Sequence, residues 1–154
     1  MSLPGIASLL PHTGAMVLLD RVLAVDPEFL RAEVAIRPDS MFCEGGSVAG
    51  WIGIEYMAQA VAAHAGHGAR LRGEAVKVGF LLGSRRYHCS VGAFAVGTLL
   101  QIVVRRELQG ENGLAAFDCR IEDGLDGALL ASAVVTVYQP ANVEEFLQRS
   151  SHDE

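Results

Sequence analysis

The sequence predicts an α+β fold in which a curved antiparallel sheet wraps round one long buried helix. Three observations lead to this prediction. Residues 48–63 are apolar on almost every side of a helix, the flanking segments alternate apolar and polar residues as strands do, and short turns separate those segments. A single apolar helix is covered on most sides only by a strongly curved sheet, which is the hotdog arrangement.

The central helix is predicted between residues 47 and 71, with Ser47 as its N-cap. Between residues 48 and 63 only Glu55 and Gln59 are neither apolar nor glycine, and at 3.6 residues per turn they share one face. A carboxyl group in the middle of a membrane span costs roughly 2.5 to 3.5 kcal/mol, and the chain has no second apolar run of this length. We therefore expect a helix enclosed by its own protein.

Glu55 is the anomaly of this helix. A carboxylic acid enclosed by hydrocarbon needs hydrogen-bond partners, and burial shifts such a group towards the range useful for proton transfer. The sequence predicts an enclosed carboxyl group, and the alternative is a partly exposed glutamate at a helix edge. His64 and His67 lie about 180° and about 120° from Glu55 round the helix, so neither is expected to act with it.

The remaining elements are short strands within a single domain, residues 1–154. Their predicted ranges, after a short helical turn at residues 5–10, are 16–25, 29–37, 76–89, 98–108, 114–123 and 128–138. The first two form a hairpin through a turn at Asp26 and Pro27, and residues 76–89 are one long strand or a bent pair with candidate bulges at Gly79 and Gly83. The polar tail, residues 140–154, is expected to be disordered. An unpaired edge strand is expected to pair with a second chain, which predicts a dimer.

Composition excludes several classes of function. A formal net charge of −6 and a pI near 5.3 argue against nucleic-acid binding. The three cysteines lack the C-x-x-C spacing of structural zinc sites, so we expect a reduced compartment and no metal. The N-terminus lacks the pattern of a signal peptide, which predicts a cytoplasmic protein.

Three stretches resemble the bacterial 3-hydroxyacyl-acyl-carrier-protein dehydratases of fatty acid synthesis. Residues 10–26, LPHTGAMVLLDRVLAVD, are similar to the opening of those enzymes. Residues 53–60, GIEYMAQA, are similar to the helix that carries their catalytic carboxylate. Residues 83–102 resemble their substrate-tunnel strand and the glycine turn after it. The resemblance extends to about Tyr138.

The resemblance implies a hotdog fold, an active site at a dimer interface and an acyl substrate on the phosphopantetheine arm of an acyl carrier protein, without a cofactor or metal. In that family a loop histidine removes the proton next to the thioester, the helix carboxyl of the partner subunit assists departure of the hydroxyl, and backbone N–H groups polarise the carbonyl. Carried over to this sequence, the catalytic candidates are Glu55 as the acid, Gln59 as its neighbour and, more weakly, His12. The expected substrate-binding residues are Gly50, Trp51, Tyr87 and Phe94.

The loop before the helix departs from the family pattern. Met41 stands where those enzymes have their histidine, and Cys43, Glu44 and Gly46 replace Pro, Gly and Pro. This combination resembles the divergent dehydratase-like subunits of aryl polyene biosynthesis. His88 is a further histidine that could serve as the base, although a solvent-facing position fits it equally well.

The expected function is elimination of water from a carrier-bound 3-hydroxyacyl thioester to a trans-2-enoyl thioester, in fatty acid or polyene biosynthesis. The chain is expected to be weakly active alone, or completed by a partner subunit that supplies the histidine, in a homodimer or a heterodimer. Two alternatives stay open. One is a hotdog acyl thioesterase that uses Glu55, and the other is a non-catalytic acyl-binding subunit.

Overall fold

The computed structural model describes residues 3, 5–10, 16–74, 80–110 and 112–138. After a 3-10 turn at Ile6–Leu9, its elements are β1 (Arg21–Val25), β2 (Phe29–Ala35), β3 (Cys43–Glu44), β4 (Ser47–Ala49), α1 (Gly53–Leu71), β5 (Phe80–Cys89), β6 (Ala93–Ala95), β7 (Leu99–Gln109), β8 (Leu114–Asp123) and β9 (Leu129–Tyr138). A second 3-10 turn, Gly50–Ile52, leads directly into α1. The predicted bulge at Gly79 and the tail at 140–154 lie outside the described residues.

The strands form two antiparallel sheets. Six strands form the larger sheet in the order β1-β2-β7-β8-β9-β5, and β3, β4 and β6 form a smaller one. Helix α1 contacts β2, β5, β7, β8 and β9, so the larger sheet wraps round it. This is the predicted architecture, a curved antiparallel sheet round one long helix. Within the described residues, no helix combines the length and apolarity that crossing a membrane requires.

The strands with alternating sequences lie as predicted. β1 and β2 form the expected hairpin, and the Asp26 carboxylate closes its turn by accepting the backbone N–H groups of Glu28 and Phe29. The inward-facing side chains of β2 and β8 and of the residue after β2 are buried, because every second residue of a strand points to the core. They are Leu30, Ala32, Val34, Ile36, Ala115, Phe117, Cys119 and Ile121.

The prediction of Ser47 as the helix N-cap is wrong. Ser47 lies in β4, which pairs with β6 through Ser47 and Ala95, and α1 begins at Gly53 without a side-chain cap. The first strand also begins later than predicted, at Arg21. In both places a contact with a distant part of the chain overrides the local sequence signal.

Strand β5 is one strand with two irregularities. The register shifts between Leu81 and Gly83, which confirms the predicted bulge at Gly83. It shifts again between Arg85 and His88, where Arg86 has a positive φ of 57°. β5 is also the last strand in the order of the larger sheet. The predicted dimer through an edge strand stays a prediction.

Gly66 controls how closely the first 3-10 turn approaches α1. A Cβ atom at Gly66 would overlap the carbonyl oxygen of Leu9, which is fully buried. A Cβ atom at Gly68 would lie 3.3 Å from the end of the flexible Arg72 side chain. Gly66 therefore lets the backbone of the first 3-10 turn lie close to the helix backbone, and Gly68 has no such role.

We expect Gly66→Ala to destabilise the protein by about 1–3 kcal/mol, because the turn must move away from α1. The matched control Gly68→Ala should stabilise it by up to about 1 kcal/mol through helix propensity alone. Thermal and urea unfolding of both variants measure these changes. Equal unfolding midpoints for the two variants would contradict the packing of Leu9 on Gly66.

Candidate active site

One stripe of the central helix is not covered by the part of the chain that the structure describes. The residues that face the sheet, such as Tyr56, Met57, Ala60 and Ala63, are buried. A second row, which begins in the 3-10 turn before α1 and repeats at helical spacing, is exposed or only half-buried. We call this row the open stripe, and it consists of Trp51, Glu55, Ala58, Ala62 and Ala65. It is apolar except for one carboxylate.

The expectation that this chain alone encloses Glu55 is wrong. Glu55 is exposed, and its neighbour on the stripe, Trp51, is 69% exposed. The physical reason is that the sheet covers the opposite side of α1. The single chain has the alternative arrangement, an exposed glutamate at a helix edge. Among the described residues, Glu55 has no ion pair or hydrogen bond, so its oxygens are available to a ligand or a second chain.

Gln59 is buried on α1 and holds the segment before β1. Its Oε1 atom accepts the backbone N–H of Leu18 at 2.9 Å, and its Nε2 atom donates to the carbonyl oxygen of Met16 at 2.5 Å. Both ends of the amide are therefore engaged by the backbone. The expected role of Gln59 as a neighbour of the catalytic acid stays a prediction. In the structure, Gln59 positions the segment at residues 16–18.

The structure brings together two of the four predicted substrate-binding residues. The Tyr87 hydroxyl donates to the carbonyl oxygen of Gly50 at 2.5 Å, and the Gly50 N–H donates to the carbonyl of Gly92 at 2.9 Å. Burial raises the pKa of the Tyr87 phenol, with a smaller contribution from Cys89, so its hydroxyl is a neutral donor. This contact joins the edge strand β5 to the turn that precedes α1.

The other two predicted residues lie in different environments. Trp51 points outward on the open stripe, whereas Phe94 is buried in β6. The Phe94 ring lies 6.4 Å from the Tyr56 ring, centroid to centroid. Phe94 therefore belongs to the core in the single chain, and its predicted place along a substrate tunnel is untested.

His64 is a core histidine. Its Nε2 atom lies 3.2 Å and 3.1 Å from the carbonyl oxygens of Asp26 and Pro27, so this nitrogen carries the proton and donates. Burial lowers its pKa below the ordinary value, although the two carbonyls act in the opposite direction. The neutral His64 side chain therefore has a structural role, which is to bind the β1–β2 turn. Its position on the opposite side of the helix from Glu55 agrees with this role.

Among the described residues, no histidine forms a hydrogen bond or ion pair with Glu55. His88 is exposed on β5, His67 is half-buried on α1, and His12 lies outside the described residues. Nor do the described residues contain a cluster of three or more His, Cys, Asp or Glu that could hold a metal ion.

The loop that carries Met41 borders a pocket of about 250 Å³. We call it the Met41 pocket. Its walls include Val17, Leu18, Val34, Met41 and Tyr56. Met41 is half-buried, and the next residue, Phe42, is 47% exposed with a positive φ of 69°. A thioether has no proton to transfer, so this loop holds no acid or base at the position where the dehydratases have one.

Tyr56 is a site residue that the sequence did not single out. Its side chain is only 2% exposed, and it lies between Glu55 and Met57 on the core side of α1. Burial, then the charge of Asp20, then Cys43 raise the pKa of its phenol to about 12, which keeps it protonated. The one signal in the sequence that could have identified Tyr56 was its hydroxyl group among otherwise apolar residues on the core side of α1.

Comparison with protein families gives a decisive match. The sequence model of the ApeP-like family, described as ApeP dehydratase, matches residues 4–148. This chain belongs to the ApeP-like family. The family is of the dehydratase type, as the resemblance predicted.

Solved structures similar to this ApeP-like chain agree. A chain of the dehydratase heterocomplex ApeI:P from Xenorhabdus doucetiae is 34% identical, with a TM-score of 0.87, over 96% of this chain and 97% of that one. Zebra fish thioesterase superfamily member 2 is 14% identical, with a TM-score of 0.66, over 88% and 93% of the two chains. S. sahachiroi AziG is 15% identical, with a TM-score of 0.61, over 78% and 90%. The last two likenesses concern the hotdog fold alone. Comparison with curated protein sequences gives no match.

We expect the ApeP-like chain to lose stability at mildly acidic pH through His64. Its pKa in the folded state lies below the ordinary 6.5, so the unfolded chain binds more protons as the pH falls below 6.5, and the folded state loses stability there. His64→Gln keeps an N–H donor for the two carbonyls but does not titrate. Unfolding midpoints between about pH 7.5 and about pH 5 should fall more steeply for the natural chain. Parallel curves for the two proteins would contradict this role of His64.

We expect Gln59→Glu to cost about 1–3 kcal/mol near neutral pH, because a carboxylate cannot donate to the Met16 carbonyl and faces it with like charge. Acidification should restore part of this loss, since a protonated carboxyl group can donate. Glu55→Gln is the matched control, and at its exposed position the change should stay within about 0.5 kcal/mol. Chemical unfolding measures both. A stable Gln59→Glu variant would show that Gln59 does not hold the segment at residues 16–18.

Proposed function

We propose that this ApeP-like chain supplies the acid for dehydration of a carrier-bound 3-hydroxyacyl thioester, in an active site that a second hotdog subunit completes with a histidine. Glu55 is the acid, and the product is a trans-2-enoyl thioester. The observation that carries this proposal is the open stripe, where an unpaired glutamate lies beside an exposed tryptophan on an otherwise apolar helix face.

The open stripe has the composition of a surface that another chain covers. Exposed large apolar side chains that are contiguous with small ones mark interaction sites, and tryptophan is prominent at the centres of such sites. Covering the stripe would also remove Glu55 from water. A carboxyl group in such a dry site is suited to proton transfer, which it is not in bulk solvent.

The position of β5 at the edge of the larger sheet supports an approach of the second chain from that edge. β5 is the last strand of the larger sheet, and its Tyr87 is bonded to Gly50, five residues before Glu55 in the chain. A strand that pairs with β5 therefore runs close to the beginning of α1. Pairing at this edge would satisfy the β5 backbone and bring residues of the second chain to Glu55.

The missing base supports a second subunit that differs from this one. Met41 occupies the position of the loop histidine, and no described histidine contacts Glu55. Two copies of this chain would therefore supply two helix carboxylates and no loop histidine. The similar solved chain belongs to a dehydratase heterocomplex, and we extend that arrangement to this protein as a heterodimer with a histidine-bearing hotdog dehydratase.

The chemistry divides between the two subunits. The histidine of the second subunit removes the proton from C2, and the electron pair of the broken C2–H bond forms the C2–C3 double bond. The C3–O bond breaks while Glu55 donates a proton to the departing oxygen, so that water leaves. Backbone N–H groups stabilise the charge on the thioester oxygen. The Gly50 N–H already donates a hydrogen bond to the carbonyl oxygen of Gly92. Other backbone N–H groups must therefore stabilise the charge on the thioester oxygen.

The remaining parts of the proposal concern substrate and setting. We propose an acyl carrier protein as the source of the substrate, with Trp51 and Tyr87 along the acyl path between the subunits. Membership of the ApeP-like family favours aryl polyene biosynthesis over housekeeping fatty acid synthesis. A cytoplasmic location fits substrates that are made on carrier proteins.

The decisive experiment uses a histidine-bearing hotdog dehydratase whose own helix carboxylate has been replaced by glutamine. Mixed with this chain and a 3-hydroxyacyl thioester, it should produce enoyl absorbance, because Glu55 then provides the only acid. Glu55→Gln in this chain should lower the rate by about 10²- to 10⁴-fold. The matched control is Glu28→Gln, an exposed glutamate at the β1–β2 turn, which should leave the rate unchanged.

Three other results would each contradict the proposal. An undiminished rate with Glu55→Gln removes Glu55 from the mechanism. Release of free thiol without enoyl absorbance indicates a thioesterase. Silence in every mixture, despite binding of the thioester, indicates a non-catalytic subunit.

A further inference from the structure

The edge strand β5 carries two arginines that have no partner. Arg85 and Arg86 are exposed, and among the described residues neither makes an ion pair or a hydrogen bond. We call them the edge arginines. Other arginines of the chain are held by carboxylates, and these are Arg21, Arg31, Arg37, Arg72 and Arg120. Because the whole chain has a formal net charge of −6, the edge arginines form a local positive patch on an acidic protein.

The backbone of β5 is irregular at the same place. Its register against β9 shifts between Arg85 and His88, and Arg86 has a positive φ of 57°. A residue other than glycine seldom takes this conformation, and a bulge at a sheet edge re-aims a side chain and interrupts regular pairing. Charged side chains and bulges are two of the features by which proteins prevent an edge strand from pairing with another copy of itself. β5 has both at adjacent residues.

Two copies of this chain paired through β5 would bring the edge arginines together. In a symmetric antiparallel pair, each residue near the twofold axis lies close to its own copy. Side chains directly opposite each other are about 5 Å apart, and diagonal neighbours are about 7–8 Å apart. An axis anywhere between residues 84 and 87 therefore places like charges within about 8 Å of each other. Physiological salt screens charges only beyond about 8 Å, so the two copies repel each other.

The open stripe lies beside this edge and favours an occupant. Tyr87, the residue after the edge arginines, donates its hydroxyl to Gly50, the residue before Trp51. A chain that covers Trp51 and Glu55 therefore also reaches the edge of β5. The apolar stripe attracts a second chain, whereas the edge arginines repel an identical one. A different chain with carboxylates on its facing strand satisfies both surfaces.

We propose that the edge arginines select the second subunit, because they exclude another copy of this chain and pair with carboxylates on the edge strand of a different hotdog subunit. The inference rests on the proposed function, since it names the chemistry of the subunit that completes the site. An arginine and a carboxylate can form two parallel hydrogen bonds, which also fixes the register of the two strands. A shift by one residue would turn every side chain to the other face, so register decides whether the histidine reaches Glu55.

The test reverses the charge of the edge on this chain. In Arg85→Glu/Arg86→Glu the edge carries two carboxylates on the same backbone, so it complements the edge of the natural chain. At low salt, the natural chain and this variant should bind each other at least about tenfold more tightly than either binds itself. In about 1 M salt, where the Debye length is about 3 Å, the difference should fall below about threefold. Fluorescence-detected sedimentation, with one protein labelled at its N-terminus, measures the three dissociation constants.

The matched control is Arg70→Glu/Arg105→Glu, which changes the net charge by the same amount. Both arginines are exposed, but they lie on α1 and on β7, an interior strand of the larger sheet. This variant should bind the natural chain no more tightly than the natural chain binds itself. Thermal unfolding shows which variants are folded. If a glutamate variant does not fold, the neutral Arg85→Gln/Arg86→Gln variant takes its place, and it should self-associate at least about threefold more tightly than the natural chain.

The second part of the test uses the two-subunit mixture. Arg85→Glu/Arg86→Glu should raise the dissociation constant for the histidine-bearing hotdog dehydratase by at least about tenfold, because like charges then face each other. Enoyl formation at limiting protein concentration should fall with it. Glu55→Gln should remove turnover without weakening this association. Failure of partner selection is therefore distinguishable from failure of the proposed acid.

Three results would overturn the inference. The natural chain could bind itself as tightly as it binds the charge-reversed variant, the control variant could bind the natural chain equally tightly, or the charge-reversed variant could join the dehydratase unchanged. In the last case, slower turnover of a carrier-bound thioester but not of an N-acetylcysteamine thioester would assign the edge arginines to the carrier protein. The proposed function survives all of these results, because it is measured by enoyl formation with the natural chain. Absence of enoyl formation with intact selection would refute the proposed function alone.

Discussion

The structure depends on a helix that is apolar on nearly all sides, of which the described part of the chain leaves one stripe uncovered. The larger sheet buries the side of α1 that carries Tyr56 and Met57. The opposite side keeps Trp51 and Glu55 in water, although fully burying a large apolar side chain is worth about 1.5–3 kcal/mol. The uncovered side is therefore a source of binding energy for a second chain. A carboxylate placed within that surface has its environment determined by the assembly.

Hydrogen bonds on both sides of Glu55 hold the backbone that carries its carboxylate. Gln59 fixes the segment before β1 to the helix, and Tyr87 fixes the edge strand β5 to the turn at Gly50. These contacts lie on both sides of Glu55 in the chain, so the backbone beneath it is held in place. A site shared between two chains needs such support, because each chain must present its group in the correct position before the other arrives.

The sequence predicted the parts of the fold that depend on local periodicity. The alternation in β2 and β8 and the β1–β2 hairpin lie as expected, because a strand with one buried face has a two-residue pattern that needs no knowledge of its partners. Ser47 was misassigned because its pairing with Ala95 joins segments that are far apart in the chain. The exposure of Glu55 was not predictable, since an apolar sequence does not show whether its own chain or another covers it. Tyr56 was missed because a tyrosine in a core row has the pattern of ordinary packing.

Loss of the histidine gives the two halves of the proposed assembly different roles. Each shared site in such a dimer combines one helix carboxylate with one loop, so a chain with Met41 in its loop leaves one of the two sites without a base. In the proposed heterodimer, Glu55 of this chain and the histidine-bearing loop of the second subunit would therefore form the complete site.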